Sequence, residues 1–320
     1  MKQLKSYIKV LIPLGIGFFF IYLTINLTTP EDRKIIFSYI KNADFRFITL
    51  SVLFGVLSHL SRAYRWKFML SPMGYKPRFI NSVLAVLIAY VANLGIPRSG
   101  EILRATTFSS YEKIPFEKCF GTIIAERLID LIILLGFILL ALSLQYDLII
   151  EILKEKQISL RIILFTLVLA LIFFLAIKSH FENNNSNSII KIKLFFKGLA
   201  EGILSIKSMP RKAAFIFHTF FIWIMYVAMF YVIKWTIPEI ETLSLNALLP
   251  AFVIGGLSIS ASNGGIGIYP FSVALILSAF GISKESGLAF GWIVWSSQTL
   301  MILIFGGLSF FILPLVNSKN

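Results

Sequence analysis

The composition of this chain sets its class. The chain has 320 residues, of which 57% are hydrophobic and 14% charged, and its mean hydropathy is +0.84. A soluble domain carries about a quarter charged residues, so these values exclude one. Several apolar runs reach the roughly 20 residues needed to cross about 30 Å of hydrocarbon. They lack the alternation of a membrane barrel strand. We therefore predict an all-α polytopic membrane protein that forms one integral membrane domain over residues 1–320.

The formal net charge is +14, and its distribution identifies the partner class. The basic residues concentrate in loops between the apolar runs, as expected on the cytoplasmic side of a membrane. We therefore expect a membrane lipid rather than a nucleic acid as partner. The basic N-terminus and the basic loop 178–212 predict a protein of the cell (cytoplasmic or inner) membrane with both termini cytoplasmic. A lysine-bearing amphipathic segment, 188–208, predicts a helix at the cytoplasmic interface.

About six apolar segments are long enough to be full spans. The first follows Lys2, Lys5 and Lys9 and is too long for a signal-peptide core, so we expect a retained helix. The predicted spans are 6–27, 47–70, 118–145, 159–178, 212–236 and 286–315.

Two further apolar segments, 79–109 and 244–281, are each interrupted by Gly and Pro. Counting crossings from the basic loops makes the first enter from the cytoplasm and the second from outside. This pattern predicts two re-entrant helical hairpins, one in each half (about 1–145 and 159–320), and indicates an inverted repeat. Ordinary kinked helix pairs remain the alternative. Irregular backbone at membrane depth is tolerated where it is buried in protein or lines a wet cavity.

The first break carries three charges at successive spacings of three: Arg98, Glu101 and Arg104. A helix that begins at Pro97 or Ser99 presents its N-terminal amides and positive dipole end at the hairpin tip, a favourable place for an anion. Arg98 adds a guanidinium that can bind phosphate through two nitrogens. The alternative is structural, with Arg98 or Arg104 paired to a buried carboxylate. Both hold if one arginine is structural and the other free.

A second charged group lies in the span 118–145, where Glu126, Arg127 and Asp130 fall within five residues. Arg127 and Asp130 are three apart and can pair. Charges within a span are costly against lipid, so we expect the group to face the bundle interior. Arg62, in the second span, is a weaker candidate for the same site, whereas Arg65 is interpreted as an interface anchor.

The second break, Asn263-Gly264-Gly265-Ile-Gly267, allows backbone to approach a ligand closely. No Lys or Ser/Thr follows at the spacing of a nucleotide-binding loop. Cys119 is the only cysteine, and the three histidines have no metal-ligand spacing. We find no catalytic motif and expect no metal and no cofactor.

These motifs resemble the flippase-like, or lysylphosphatidylglycerol synthase transmembrane (UPF0104), family over nearly the whole chain. The resemblance rests on Asn93-x-x-x-Pro97-x-x-Gly100-Glu101-x-x-Arg104-Ala105, Glu126-Arg127-x-x-Asp130 and Gly264-Gly265-x-Gly267. It implies a membrane unit that moves aminoacylated phosphatidylglycerol between leaflets, here standing alone without the soluble synthase domain. A separate synthase or envelope-lipid enzyme is then an expected partner. The chain departs from the family in its second half, which is nearly free of charge.

Three functions follow from this sequence. The first is flippase-like movement of an anionic phospholipid or a polyprenyl-phosphate lipid, without enzymatic activity. In it Arg98 and Arg127 hold the phosphate, Glu101, Glu126 and Asp130 orient those arginines, and the tip at 263–267 closes the cavity. The second is an integral-membrane transferase that acts on lipid-linked substrates, with Glu126 and Asp130 as its candidate carboxylates. The third is a scaffold for an envelope-lipid assembly.

Overall fold

A computed structural model of the protein describes residues 15, 18–96, 98–146, 209–262 and 264–318, and the regular structure there is entirely helical. This confirms the all-α prediction. In chain order the helices are α1 (Phe18–Leu27), α2 (Pro30–Asn42), α3 (Phe45–Leu70), α4 (Phe79–Gly95), α5 (Ser99–Glu112), α6 (Phe116–Leu144), α7 (Lys212–Tyr231), α8 (Pro238–Glu241), α9 (Leu245–Ala261), α10 (Ile268–Ser278) and α11 (Lys284–Asn317). Short 3₁₀ turns follow α3 at Ser71–Met73 and α7 at Val232–Thr236.

Four of these helices are long and apolar enough to cross a membrane: α3, α6, α7 with its 3₁₀ extension, and α11. They match the predicted spans 47–70, 118–145, 212–236 and 286–315 to within a few residues. The predicted span 159–178 and the interfacial helix 188–208 lie outside the described residues, as does half of the span 6–27. Large apolar side chains cover the outer surface, with Ile132 and Leu139 about two-thirds exposed. Such a surface suits lipid and identifies an integral membrane protein.

Side chains cap the helices where the chain turns. Thr29 and Asp32 form a reciprocal capping box at the start of α2. Ser283 caps α11 by accepting a hydrogen bond from the Ser286 amide. Each cap satisfies a backbone N–H that the first turn of a helix leaves unpaired.

The first predicted hairpin is a broken helix pair, α4 and α5, and α5 begins at Ser99 as expected. Arg98 turns the chain with a left-handed backbone (φ 62°). The Asn93 side chain then accepts a hydrogen bond from the Gly100 amide at 2.7 Å. A Cβ on Gly100 would lie 2.1 Å from the Ala89 carbonyl oxygen. This close approach of α5 to α4 is the physical reason for glycine there.

The second hairpin is the broken pair α9 and α10. Its tip carries three glycines in the left-handed region, Gly264, Gly265 and Gly267, with φ of 63°, 82° and 69°. The Trp295 indole donates a hydrogen bond to the Gly264 carbonyl at 2.7 Å. A Cβ on Gly264 would lie 2.4 Å from Leu94 Cδ2. The tips of the two hairpins therefore touch each other.

Helix α11 holds both hairpins against one another. It packs on α4 at Gly306, where a Cβ would lie 2.7 Å from the Leu87 carbonyl oxygen. It packs on α10 at Gly291, where a Cβ would lie 2.6 Å from the Pro270 Cα. Small residues allow this close packing of helices, which lipid does not drive by a hydrophobic effect.

Candidate functional site

A buried ion-pair cluster joins α3, α5 and α6. Arg62 Nη1 lies 2.5 Å from Glu126 Oε1 and 2.6 Å from Asp130 Oδ2. Arg104 Nη2 lies 3.1 Å from Glu126 Oε2, and Arg65 Nη2 lies 3.2 Å from Asp130 Oδ1. All five side chains are buried. The cluster confirms that Glu126 and Asp130 of α6 face the bundle interior.

Arg65 was expected to anchor the membrane interface, and that interpretation is wrong. Its side chain is fully buried and also donates to Thr219 on α7 at 2.9 Å. The physical reason is helical spacing: Arg62 and Arg65 are three residues apart, so both lie on the face of α3 that turns into the bundle.

Arg104 is packed against an aromatic ring in the interior of the protein. Its guanidinium carbon lies 3.9 Å above the Trp66 ring, and the Trp66 indole donates to Thr122 at 2.8 Å. Arg104 faces a void of about 20 Å³ beside Glu101, but it does not line the larger cavity described next. Arg104 is thus the arginine of the first hairpin that pairs with a buried carboxylate.

A cavity of about 960 Å³ lies between the two broken helix pairs. Charged side chains of the first half form one wall, and uncharged polar groups of the second half form the other. The charged lining residues are Arg62, Arg98, Glu101, Arg127 and Asp130. The polar lining residues of the second half include Ser260, Ser262, Gly264, Trp295, Gln298 and Thr299.

Arg98 and Arg127 are the arginines most open to this cavity. Arg98 is exposed, and no carboxylate of the described residues lies within 4 Å of its guanidinium. The Arg127 side chain is 40% exposed, and its carboxylate contacts are long: 3.5 Å to Glu126, 3.7 Å to Asp130 and 3.9 Å to Glu101. Among the described residues, three guanidiniums and two carboxylates line the cavity, so this part of its wall carries a net positive charge. An anion would offset the cost of holding that charge away from bulk water.

An apolar stripe continues the cavity along α6. Phe120, Ile124, Leu131 and Leu134 recur at helical spacing on either side of Arg127 and line the same cavity. Leu131 is also half exposed on the outer surface. The site therefore offers charge at its centre and apolar surface beside it, which suits an amphiphile.

The structure brings most of the predicted site residues together. Arg62, Arg98, Glu101, Arg127, Asp130 and Gly264 line the cavity, while Glu126 lies behind them. Gly265 does not line it: its backbone is buried, with Ile259 and Tyr269 3.1 Å from where a Cβ would be. Asn263 lies outside the described residues.

Several lining residues escaped sequence reasoning. Tyr90 and Tyr226 face each other across the cavity wall, with hydroxyls 3.2 Å apart, and Arg62 reaches Tyr226 at 3.4 Å. Thr299 and Trp295 come from a late span that carries no charge. A polar residue in an apolar helix was the available signal, because such a residue avoids lipid.

Comparisons with known proteins agree with this architecture. The sequence model of the family described as "Lysylphosphatidylglycerol synthase TM region" matches residues 10–306. UPF0104 membrane protein MJ1595 of Methanocaldococcus jannaschii is 31% identical over 105 residues, covering 32% of this chain and 31% of the relative. UPF0104 membrane protein PH1989 of Pyrococcus horikoshii is 33% identical over 108 residues, covering 31% of each chain. Glycosyltransferase AglD of Haloferax volcanii is 26% identical over 111 residues, covering 34% of this chain and 18% of the relative. The matches thus span a third or less of these relatives, and no solved structure matches.

Proposed function

Because the chain belongs to the lysylphosphatidylglycerol synthase TM region family, we propose that it moves a lipid with an anionic headgroup between the two leaflets of the cell membrane. The family and the cavity both support a role in membrane lipid biology. In the proposed orientation both termini are cytoplasmic, as the basic loops predict.

The observation that carries the proposal is the excess positive charge in a cavity that also has an apolar flank. A phosphate would be held by Arg98 and Arg127, whose guanidiniums can each donate two hydrogen bonds to it. Glu101 and Asp130 would keep Arg127 directed at the cavity through their long contacts. The acyl or prenyl chains would lie along the apolar stripe of α6 and reach the bilayer.

The contact between the hairpin tips supplies a barrier for such movement. Gly264 touches Leu94 and is fixed by Trp295, so the cavity is bounded where the broken helices meet. A headgroup that passes from one leaflet to the other must separate these tips. Broken helices at the repeat interface serve this role in other transporters.

The test is lipid movement in proteoliposomes, with fluorescent lipids quenched from outside. Arg98→Asn is the informative variant because it removes the charge, and asparagine adopts the left-handed backbone of this position more readily than most residues do. Loss of charge-assisted hydrogen bonds should slow movement of phosphatidylglycerol about tenfold or more. Arg98→Lys should retain part of the rate, since it keeps the charge without the planar geometry.

The matched control is Arg46→Ala, which removes an exposed arginine paired with Asp44 outside the cavity. It should move lipid at the wild-type rate. The proposal is rejected if folded wild-type protein moves neither phosphatidylglycerol nor a polyprenyl phosphate, or if Arg98→Asn matches the wild type.

A second candidate function, transfer on a lipid-linked substrate, has one supporting observation: the name of the relative AglD, a glycosyltransferase. Its candidate carboxylates, Glu126 and Asp130, are both bound by arginines, which favours transport. Product formed from a labelled donor by the purified protein would establish this second function. Co-purification of an envelope-lipid enzyme without lipid movement would instead support the scaffold.

A further inference from the structure

The two walls of the cavity differ in chemistry, and the difference bears on the substrate. Both lining carboxylates, Glu101 and Asp130, come from the first half and contact Arg127. The described lining residues of the second half carry no charge. A ligand whose phosphate occupies the first wall would therefore meet no free carboxylate at the second.

The second wall presents hydroxyls that have no partner among the residues the structure describes. Ser262 is 2% exposed, and its buried Oγ forms no hydrogen bond to any of them. Ser260 and Thr299 line the cavity as well, and neither side chain forms a hydrogen bond to another described residue. Most buried hydroxyls in proteins are satisfied, so the unpaired buried Oγ of Ser262 at this cavity indicates a polar occupant, and the more open hydroxyls of Ser260 and Thr299 lie on the same wall.

Neighbouring serines on the same helices behave differently. Ser258 donates to the Gly255 carbonyl at 2.7 Å, and Ser297 donates to the Val294 carbonyl at 3.0 Å. Neither serine lines the cavity. These two hydroxyls bond to the backbone of their own helix, whereas those of Ser260, Ser262 and Thr299 leave their bonding capacity to the cavity.

We propose that the lipid headgroup is a phosphate that bears a neutral, hydroxyl-rich group, such as a glycerol or a sugar, and that Ser260, Ser262 and Thr299 bind those hydroxyls. This inference rests on the proposed function and narrows its substrate class. A headgroup that ends in an ammonium is disfavoured, because it would bury a cation beside a positive wall without a free carboxylate.

The test measures headgroup binding apart from transport. The full chain in detergent micelles is titrated with glycerol 1-phosphate, glucose 1-phosphate, phosphoethanolamine and inorganic phosphate. The readout is tryptophan fluorescence, since Trp223 and Trp295 line the cavity. Wild-type protein should bind at least one of the two hydroxyl-bearing phosphates about fivefold or more tightly than inorganic phosphate and phosphoethanolamine, the size expected for one or two neutral hydrogen bonds. Which of the two binds more tightly tells a glycerol from a sugar.

Four variants test the assignment of the hydroxyls. Thr299→Val keeps the shape of the side chain. It should lower the affinity for the hydroxyl-bearing phosphates to about the affinity for inorganic phosphate, while the affinity for inorganic phosphate itself stays unchanged. Ser260→Ala should act in the same direction, and Ser297→Ala, outside the cavity, should bind as the wild type does. Arg98→Asn should weaken the binding of all four ligands.

Equal wild-type binding of all four ligands, tighter binding of phosphoethanolamine, or no binding at all overturns the inference. An unchanged preference in both Thr299→Val and Ser260→Ala overturns it as well. The vesicle assay separates the two proposals: a wild-type preference without lipid movement rejects transport and leaves the headgroup assignment standing. Lipid movement without a preference for the hydroxyl-bearing phosphates rejects the headgroup assignment and leaves transport standing.

Discussion

Replacement of Glu126 by Gln tests whether the buried cluster holds the three helices together. The Glu126 side chain is 0% exposed and lies 2.5 Å from Arg62 and 3.1 Å from Arg104. Arg65 and Arg127 approach it at 3.4 and 3.5 Å. The variant leaves those guanidiniums short of one buried countercharge. Removal of one partner from a buried ion pair costs about 3–5 kcal/mol, a large part of the total stability of a typical protein.

The matched control is Glu101→Gln. Glu101 makes one ion pair, 3.9 Å from an Arg127 side chain that is 40% exposed, and such a contact contributes less than about 1 kcal/mol. Both variants are unfolded in mixed micelles with increasing SDS, followed by tryptophan fluorescence. Glu126→Gln should unfold at clearly lower SDS than Glu101→Gln. Adding Arg104→Gln to Glu126→Gln should recover part of the loss, because it removes one uncompensated charge. Equal stability of the two single variants would refute the reasoning.

Two further predictions concern the contacts that hold α11 in place. Gly306→Ala should destabilise the protein by about 1–3 kcal/mol, because the new methyl group would meet the backbone of α4. Gly307→Ala, with open space around its Cβ, should be neutral or slightly stabilising. Similar unfolding midpoints for the two variants would contradict this prediction. At the start of α11, Glu239 accepts hydrogen bonds from the Ser283 amide and hydroxyl at 2.6 and 2.5 Å. Partial burial opposes ionisation, but these hydrogen bonds hold the pKa of the Glu239 carboxyl below its ordinary value of 4.5. A lowered folded pKa stabilises the protein above about pH 4.5 and ceases to do so as pH falls further. The stability difference between the wild type and Glu239→Gln should therefore shrink on acidification below that value, and a difference that stays constant from pH 7 to pH 3.5 would count against the contact.

Much of the architecture follows from the sequence, because the determinants are local. Span length depends on an unbroken apolar run, and the four long helices match their predicted segments. The hairpin breaks depend on residues that end helices, and the structure places irregular backbone at residues 96 and 98 and at residues 262 and 264–267. The spacing of Glu126 and Asp130 placed both on one helix face, and the cost of charge in lipid placed that face inside.

Which arginines are buried in ion pairs and which are exposed to the cavity depends on tertiary contacts. Arg98 and Arg104 lie six residues apart on the same hairpin, yet one is exposed at the cavity and the other is buried against Trp66. Arg62 meets Glu126 across 64 positions of sequence, and Arg65 joins the same cluster. Which carboxylate each arginine reaches depends on how α3, α5 and α6 pack, and local spacing does not encode that packing.

The second cavity wall is also a product of packing. Thr299 and Ser260 are polar residues in apolar helices, and nothing in their local sequence marks them as neighbours of Arg98. They reach one cavity because α11 packs between the two hairpins through glycines that permit close backbone contact. The sequence thus determined the spans, the breaks and the charges. Only the tertiary structure decided which side chains share a cavity, because that depends on contacts between helices far apart along the chain.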